Sequence, residues 1–225
     1  MTIRSTIEHI GIGKAKELAE VYFEECASFP GTATHTGAHF ESLESEQNLP
    51  DRITSADLLA VQNLSVSVPA RAAIGILEGH AEEISDLLEG ICATTSLGDV
   101  ADDDTFDAVL GKNSSAHKLW DLLRRNGKGN KRWGIGATTA SKIMARKRPR
   151  LIPIEDSVVN RVIQKNTHSS WHLWWKELNA DNVHDDFAKE VREHVERPDI
   201  STLRTLDIVL WRWGKQHPEY PVTRH

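Results

Sequence analysis

Apolar residues along this chain recur at three- and four-residue intervals and almost nowhere alternate strictly with polar ones. That is the period of helices with one buried stripe. Residues 15–26 carry it first and Phe29-Pro30-Gly31 stops it, while the earlier Gly11-Ile12-Gly13 is expected to be a turn before this first helix. Residues 28–51 are rich in Ser, Thr, Gly and His with weak periodicity, so a loop or broken helix is expected. Thr54 or Ser55 caps a helix through Leu58, Leu59 and Val61, and Pro69 opens another through Ile74, Ile76 and Leu77 toward Ile91. The acidic run 99–104 reads as a surface connection before a short helix at 106–110. Asn113-Ser114-Ser115 caps a helix at 117–125 with Leu119, Leu122 and Leu123 inward, and NGKGNKR at 126–132 is a turn. Further helices are expected near 137–147, 156–165, 170–179, 183–196 and 201–214. The pattern predicts an all-α helical bundle, one covalent domain of one or two lobes, without internal repeats.

Length and composition agree with a folded globular chain: 225 residues are enough for a sizeable core. No apolar run approaches the roughly 18 residues of a membrane span, and the amino terminus lacks the sections of a signal peptide, so a cytoplasmic protein with no membrane partner is expected. Cys26 and Cys92 are the two cysteines, too few for a disulfide framework or a four-cysteine iron–sulfur cluster.

Charge is distributed unevenly. Ten Lys and Arg fall between Arg124 and Arg150, and no Asp or Glu occurs from Leu122 to Ile154. The net charge is −6, so the remainder carries −16, with 17 basic residues against 33 acidic ones. A gathered basic segment can bind a polyanion even in an acidic chain, because counterion release depends on local phosphate contacts. Inside the segment, Gly134-Ile135-Gly136 precedes a helix, an arrangement that turns backbone N–H groups outward at a positive helix end. Duplex DNA is the expected partner, which makes a nucleoid-associated location the corresponding expectation.

The stretch from Trp133 to Val162 resembles the helix–hairpin–helix DNA glycosylases. The resemblance rests on Gly134-Ile135-Gly136, on Ala140 four positions later, on Pro153, and on Asp156-Ser157-Val158-Val159-Asn160-Arg161-Val162, with 20 positions from Gly136 to Asp156. A fainter likeness lies upstream, from Leu58-Leu59-Ala60-Val61 through Leu64-Ser65 and on to Ala72. The chain reads as a divergent member, close to a bacterial family of unknown function. The resemblance implies a glycosylase-like barrel at 55–165 with the helix–hairpin–helix at about 117–147, and a second helical lobe from 1–54 and 166–225. It implies backbone and side-chain DNA contacts at Gly134, Ile135, Gly136, Thr138, Thr139 and Lys142, with Lys131, Arg132 and Arg148 neutralising phosphates. It requires no organic cofactor and is compatible with a monovalent cation at the hairpin.

Asp156 then stands where the family keeps its catalytic carboxylate. Hydrolysis of an N-glycosidic bond passes through a sugar with oxocarbenium character, which a fixed carboxylate stabilises while it orients water. Relatives that also cut the backbone use a lysine two residues after the second glycine; Thr138 stands there, so a monofunctional, hydrolytic DNA glycosylase of base-excision repair is implied. Asp156 also reads as the N-cap of the following helix, and the two roles are compatible. Gln62, Asn63, Ser67 and Trp133 are candidates for the base pocket or for the wedge that fills the gap left by an extruded base. Arg161 is a candidate ion-pair partner or phosphate ligand.

Two bland readings stand beside these. Trp171, Trp174 and Trp175 lie on one helix face, as a core stripe or a stacking platform. His35 with His39, and His168 with His172, have helical metal-ligand spacing but no third ligand, so no metal is expected. The alternative functions are a non-catalytic helix–hairpin–helix DNA-binding protein and a helical protein-interaction module.

Overall fold

The computed structural model describes residues 2–124, 133–164 and 170–220. Among these residues the fold is all-α, with no strand beyond one antiparallel bridge between Glu25 and Ala33. In chain order the helices are α1 (Ile3–Ile10), α2 (Ile12–Phe23), α3 (Ser55–Gln62), α4 (Ala70–Ile74), α5 (Ala81–Glu89), α6 (Asp103–Leu110), α7 (Ser115–Arg124), α8 (Ala137–Lys147), α9 (Ser157–Val162), α10 (Ser170–Asn179), α11 (Val183–His194) and α12 (Thr202–Gln216). No described helix is long and apolar enough to cross a membrane. Packing divides the chain into a terminal unit, Met1–Ala38 with Pro153–His225, and an inner unit, His39–Ile152. The division assigns α9 to the chain ends.

In the terminal unit α12 packs against α2, α9 and α11. Every residue from Leu203 to Leu210 is buried, so this helix has no solvent stripe over two turns and acts as the unit's core rod. Its approach to α9 depends on Gly214, where a Cβ would lie 2.5 Å from Val162 Cγ2 and 2.6 Å from Val158 Cγ1. The stripe Trp171, Trp174 and Trp175 of α10 is buried, so these rings are core.

One expectation is corrected here: the chain is already helical before Gly11. Ile3, Ile7 and Ile10 are buried on one face of α1, and Thr2 and Ser5 form a capping box at its start. Gly11, with φ of 74°, is the single-residue joint between α1 and α2.

In the inner unit α8 packs against α3 and α7, and α7 also packs against α5 and α6. The segment opened by Pro69 is not one continuous helix. It runs as α4, a π-helical turn (Gly75–Gly79), a break at His80 with φ of −131°, and α5. The physical reason is the Trp133 ring. A Cβ on Gly75 would meet its Cζ2 at 2.5 Å, so the helix widens where a bulky ring arrives from elsewhere in the chain. The acidic run is a helix start: Asp102 accepts from the Thr105 amide at 2.8 Å, and Asp103 and Asp104 occupy the first turn of α6.

Candidate nucleic-acid interface

The hairpin is built from the inside outward. Ser114 accepts from the His117 amide at 3.1 Å and starts α7, which buries Ala116, Leu119 and Leu123. Residues 125–132, including the expected contacts Lys131 and Arg132, lie outside the described residues. Beyond them Trp133 and Ile135 are 4% and 5% exposed, two apolar anchors that alternate with exposed Gly134 and Gly136. Gly134 has φ of 77°, a left-handed conformation that disfavours any side chain. Gly136 has φ of −87°, and a Cβ there would meet nothing within 4 Å. Its backbone does not demand glycine, so what the missing side chain leaves is an open approach to the start of α8. No side chain caps that start; Thr138 and Thr139 are half-buried, and Ala140 is fully buried in the helix packing. The first turn of α8 therefore presents the electropositive end of a helix at an uncluttered surface.

The rest of α8 corrects the expected cationic face, because every residue from Ala140 through Arg148 is buried. Lys142 donates to the Leu64 carbonyl at 2.8 Å, where it ties off the end of α3. Arg146 reaches the Phe40, Glu41 and Leu43 carbonyls at 2.5, 2.6 and 2.6 Å and Asp57 at 3.2 Å. Lys147 donates to Asn48 at 2.5 Å and to Asp57 at 2.8 Å. Arg148, 1% exposed, donates to the carbonyls of Leu88, Pro50 and Ile91 at 2.5, 2.7 and 2.7 Å and to Asp51 at 2.6 Å. The phosphate roles expected of Lys142 and Arg148 do not fit this geometry.

The reason lies in the irregular stretch 40–51. Its short turns leave the carbonyls of Phe40, Glu41, Leu43 and Pro50 to side-chain donors. Arg146 and Arg148 supply them, Lys147 between them bonds the Asn48 side chain, and Asp57, 1% exposed, balances Arg146 and Lys147 while capping α3 together with Thr54. Burial is the leading influence on Lys147 and pulls its pKa below the ordinary lysine value, opposed by the attraction of Asp57.

Asp156 belongs to the terminal unit and is the N-cap of α9: its Oδ1 accepts from the Val158 amide at 2.8 Å, with the side chain half-buried. Arg161 donates to the carbonyls of Gly214, at 2.8 Å, His217, at 3.2 Å, and Tyr220. It is a clamp on the end of α12, which corrects the expectation of an ion-pair partner or phosphate ligand. Glu155, beside Asp156, accepts from Asn160 Nδ2 at 3.1 Å.

Of the base-pocket candidates, Gln62 and Ser67 are exposed and Asn63 is half-buried, around a turn in which Ser65 has φ of 59°. Trp133 is buried against Gly75, with His80 edge-on at 5.5 Å, and presents no free ring for DNA. Sequence reasoning missed the tether between α8 and the stretch 40–51; the available signal was a loop with Asp51 and Asp57 close behind it. Among the described residues no three His, Cys, Asp or Glu side chains gather as a metal site. His35 is engaged by Arg212, and His172 meets Trp175 edge-on at 5.4 Å.

These features define an all-α protein with an open pair of glycines at a helix start and a cation-braced interior. The chain belongs to the family of unknown function DUF6308, which matches residues 15–214 and so takes in both units. No curated protein and no solved structure matches it.

Proposed function

We propose that the protein binds the backbone of duplex DNA at the hairpin 134–139 and works as a monofunctional DNA glycosylase, with Asp156 as its catalytic carboxylate. The observation that carries the binding step is the start of α8, where Gly134 is held in a left-handed conformation, Ile135 is anchored inside, and Gly136 leaves the uncapped first turn open. Such a start accepts a phosphate oxygen through backbone N–H groups and the helix dipole, without needing a lysine or arginine. Catalysis rests on the resemblance and on a half-buried carboxylate at the start of a helix. Thr138 offers no amine, so water is the nucleophile.

A second reading, a non-catalytic DNA-binding protein, is favoured by one observation: the Asp156 carboxylate is already engaged as a helix cap. Incubating the protein and Asp156→Asn with duplexes carrying a panel of damaged and modified bases, followed by alkaline cleavage of abasic sites, separates the two. Release by the wild type and none by the variant, with equal duplex affinity, supports the glycosylase. Equal binding without release supports the binding module, and no duplex binding by either protein rejects both.

Because Lys142, Arg146, Lys147 and Arg148 are internal, few cations meet phosphates. The slope of log K against log salt should correspond to about two or three phosphate contacts, near −2 to −3. A slope near −9, which is about what contacts from all ten cations of the run would give, would return those side chains to the interface.

A further inference from the structure

The terminal unit treats its buried and half-buried guanidinium groups unequally. Arg204 has Asp207 at 2.6 Å, the Tyr22 hydroxyl at 2.8 Å and the Gly37 carbonyl at 2.9 Å, and Arg161 has its three carbonyls. Arg212 is different. Its Nη1 donates to His35 Nε2 at 2.8 Å, its Nε is buried without a partner, and Nη2 makes no hydrogen bond yet is not a buried atom. Among the described residues no carboxylate acts on either group. Burial and then the Arg212 charge hold the His35 pKa below its ordinary value, and burial is the leading influence on Arg212 itself. His35 is therefore a neutral ring that accepts at Nε2 and carries its proton on Nδ1.

The surroundings fix this pair in place. Tyr22 stacks on His35 at 5.3 Å with the planes 13° apart, and Trp211 meets the same imidazole edge-on at 5.7 Å. Lys215, exposed one turn beyond Trp211, holds its ammonium 5.8 Å from that indole and adds a second positive charge. Among the described residues this half-buried guanidinium has no carboxylate partner, and an unbalanced charge drawn partly out of water is costly.

We infer that Arg212 and His35 form a binding site for a phosphate-type oxyanion on the terminal unit. The free end of the guanidinium donates to the oxyanion, and Lys215 reinforces it from the rim. With Nε enclosed and Nη1 committed to His35, the ligand meets the guanidinium end-on through Nη2. The site is independent of the hairpin reading and stands whether or not the protein acts on DNA.

The test uses inorganic phosphate, with ionic strength held constant by sodium chloride. At ten times its dissociation constant, phosphate should raise the wild-type Tm by about 3–6 °C. Arg212→Gln should lose that shift, and Arg212→Lys should keep part of it. No shift in the wild type, or an undiminished shift in Arg212→Gln, overturns the site. Should Arg212→Gln not fold, NMR of the wild type decides: phosphate must move the Arg212 Nε–H and His35 ring resonances, and movement confined to other residues overturns the inference. A short duplex in place of phosphate distinguishes the source. If a DNA phosphate is the natural occupant, Arg212→Gln weakens duplex binding too; if a small phosphorylated molecule is, duplex affinity is unchanged.

Discussion

The two ends of α8 are built to opposite designs. Its first turn has no cap, no cation and a glycine-lined approach, whereas its last turn and the residue after it hold three cations, all buried and all bonded to the chain around them. Both ends lie in one basic stretch of sequence, yet the surface end presents backbone and the charged end is interior framework. The difference teaches that a run of Lys and Arg is evidence about a polyanion only after the chain's own carbonyls have been counted as competitors. Here carbonyls take three of the six cations that the described part of the run offers, Lys142, Arg146 and Arg148.

The sharpest break of this comparison is Arg148→Met. If the side chain is framework, its loss leaves Asp51 and three carbonyls without their donor, and stability should fall by about 3–5 kcal/mol in urea unfolding. A change below 1 kcal/mol would mean the side chain faces solvent in solution. At the other end of the helix, Gly134→Ala forces an L-residue to φ of 77° and should cost about 1–2 kcal/mol. Duplex binding should weaken beyond that cost, because the hairpin backbone shifts. Equal affinity at saturating folded protein would remove the hairpin from the interface.

Asp156 gives a smaller effect with a cleaner division. Asn caps a helix about as well as Asp, so Asp156→Asn should leave stability within a few tenths of a kcal/mol, while Asp156→Ala should lose about 1 kcal/mol. Retained base release in Asp156→Asn would make the residue a cap and nothing more. The smallest effect is that of Lys147. Its folded pKa lies below 10.5, so between those values the unfolded chain holds a proton that the folded chain has released, and stability gains a component that rises with pH. Wild type minus Lys147→Met, followed from pH 8 to 10.5, should show that rise; a flat difference would place the ammonium in water.

Much of this fold was legible in the periodicity. The all-α class, the Thr54 cap and the helices α3, α7, α8 and α10 follow from apolar spacing and N-cap residues, because these signals are local. Helix α1 was legible in principle from Ile3, Ile7 and Ile10, but the glycines that follow drew the reading toward a turn. The break between α4 and α5 was not legible. Its cause is an indole 58 positions away in sequence pressing on Gly75, and a local pattern carries no record of that. The same limit applied to the hairpin. The glycine spacing was visible, but whether Lys142 and Arg148 faced outward depended on Leu64 and on the stretch 40–51, which only tertiary packing brings near. Trp133 looked surface-bound by its place beside Gly134 and is an anchor because Gly75 makes room for it.

The division of the chain also sets a timetable. The inner unit is one unbroken run of sequence, while the terminal unit joins Met1–Ala38 to Pro153–His225. On a ribosome, α2 emerges long before its packing partner α12, and at about 5–20 residues per second that interval is roughly 10–35 s. During it Tyr22, Leu18 and Ala15, all buried in the finished protein, lack the cover of α12. A nascent chain stalled before residue 200 should therefore carry a protease-resistant stretch at 39–152 and a cleavable stretch ahead of it.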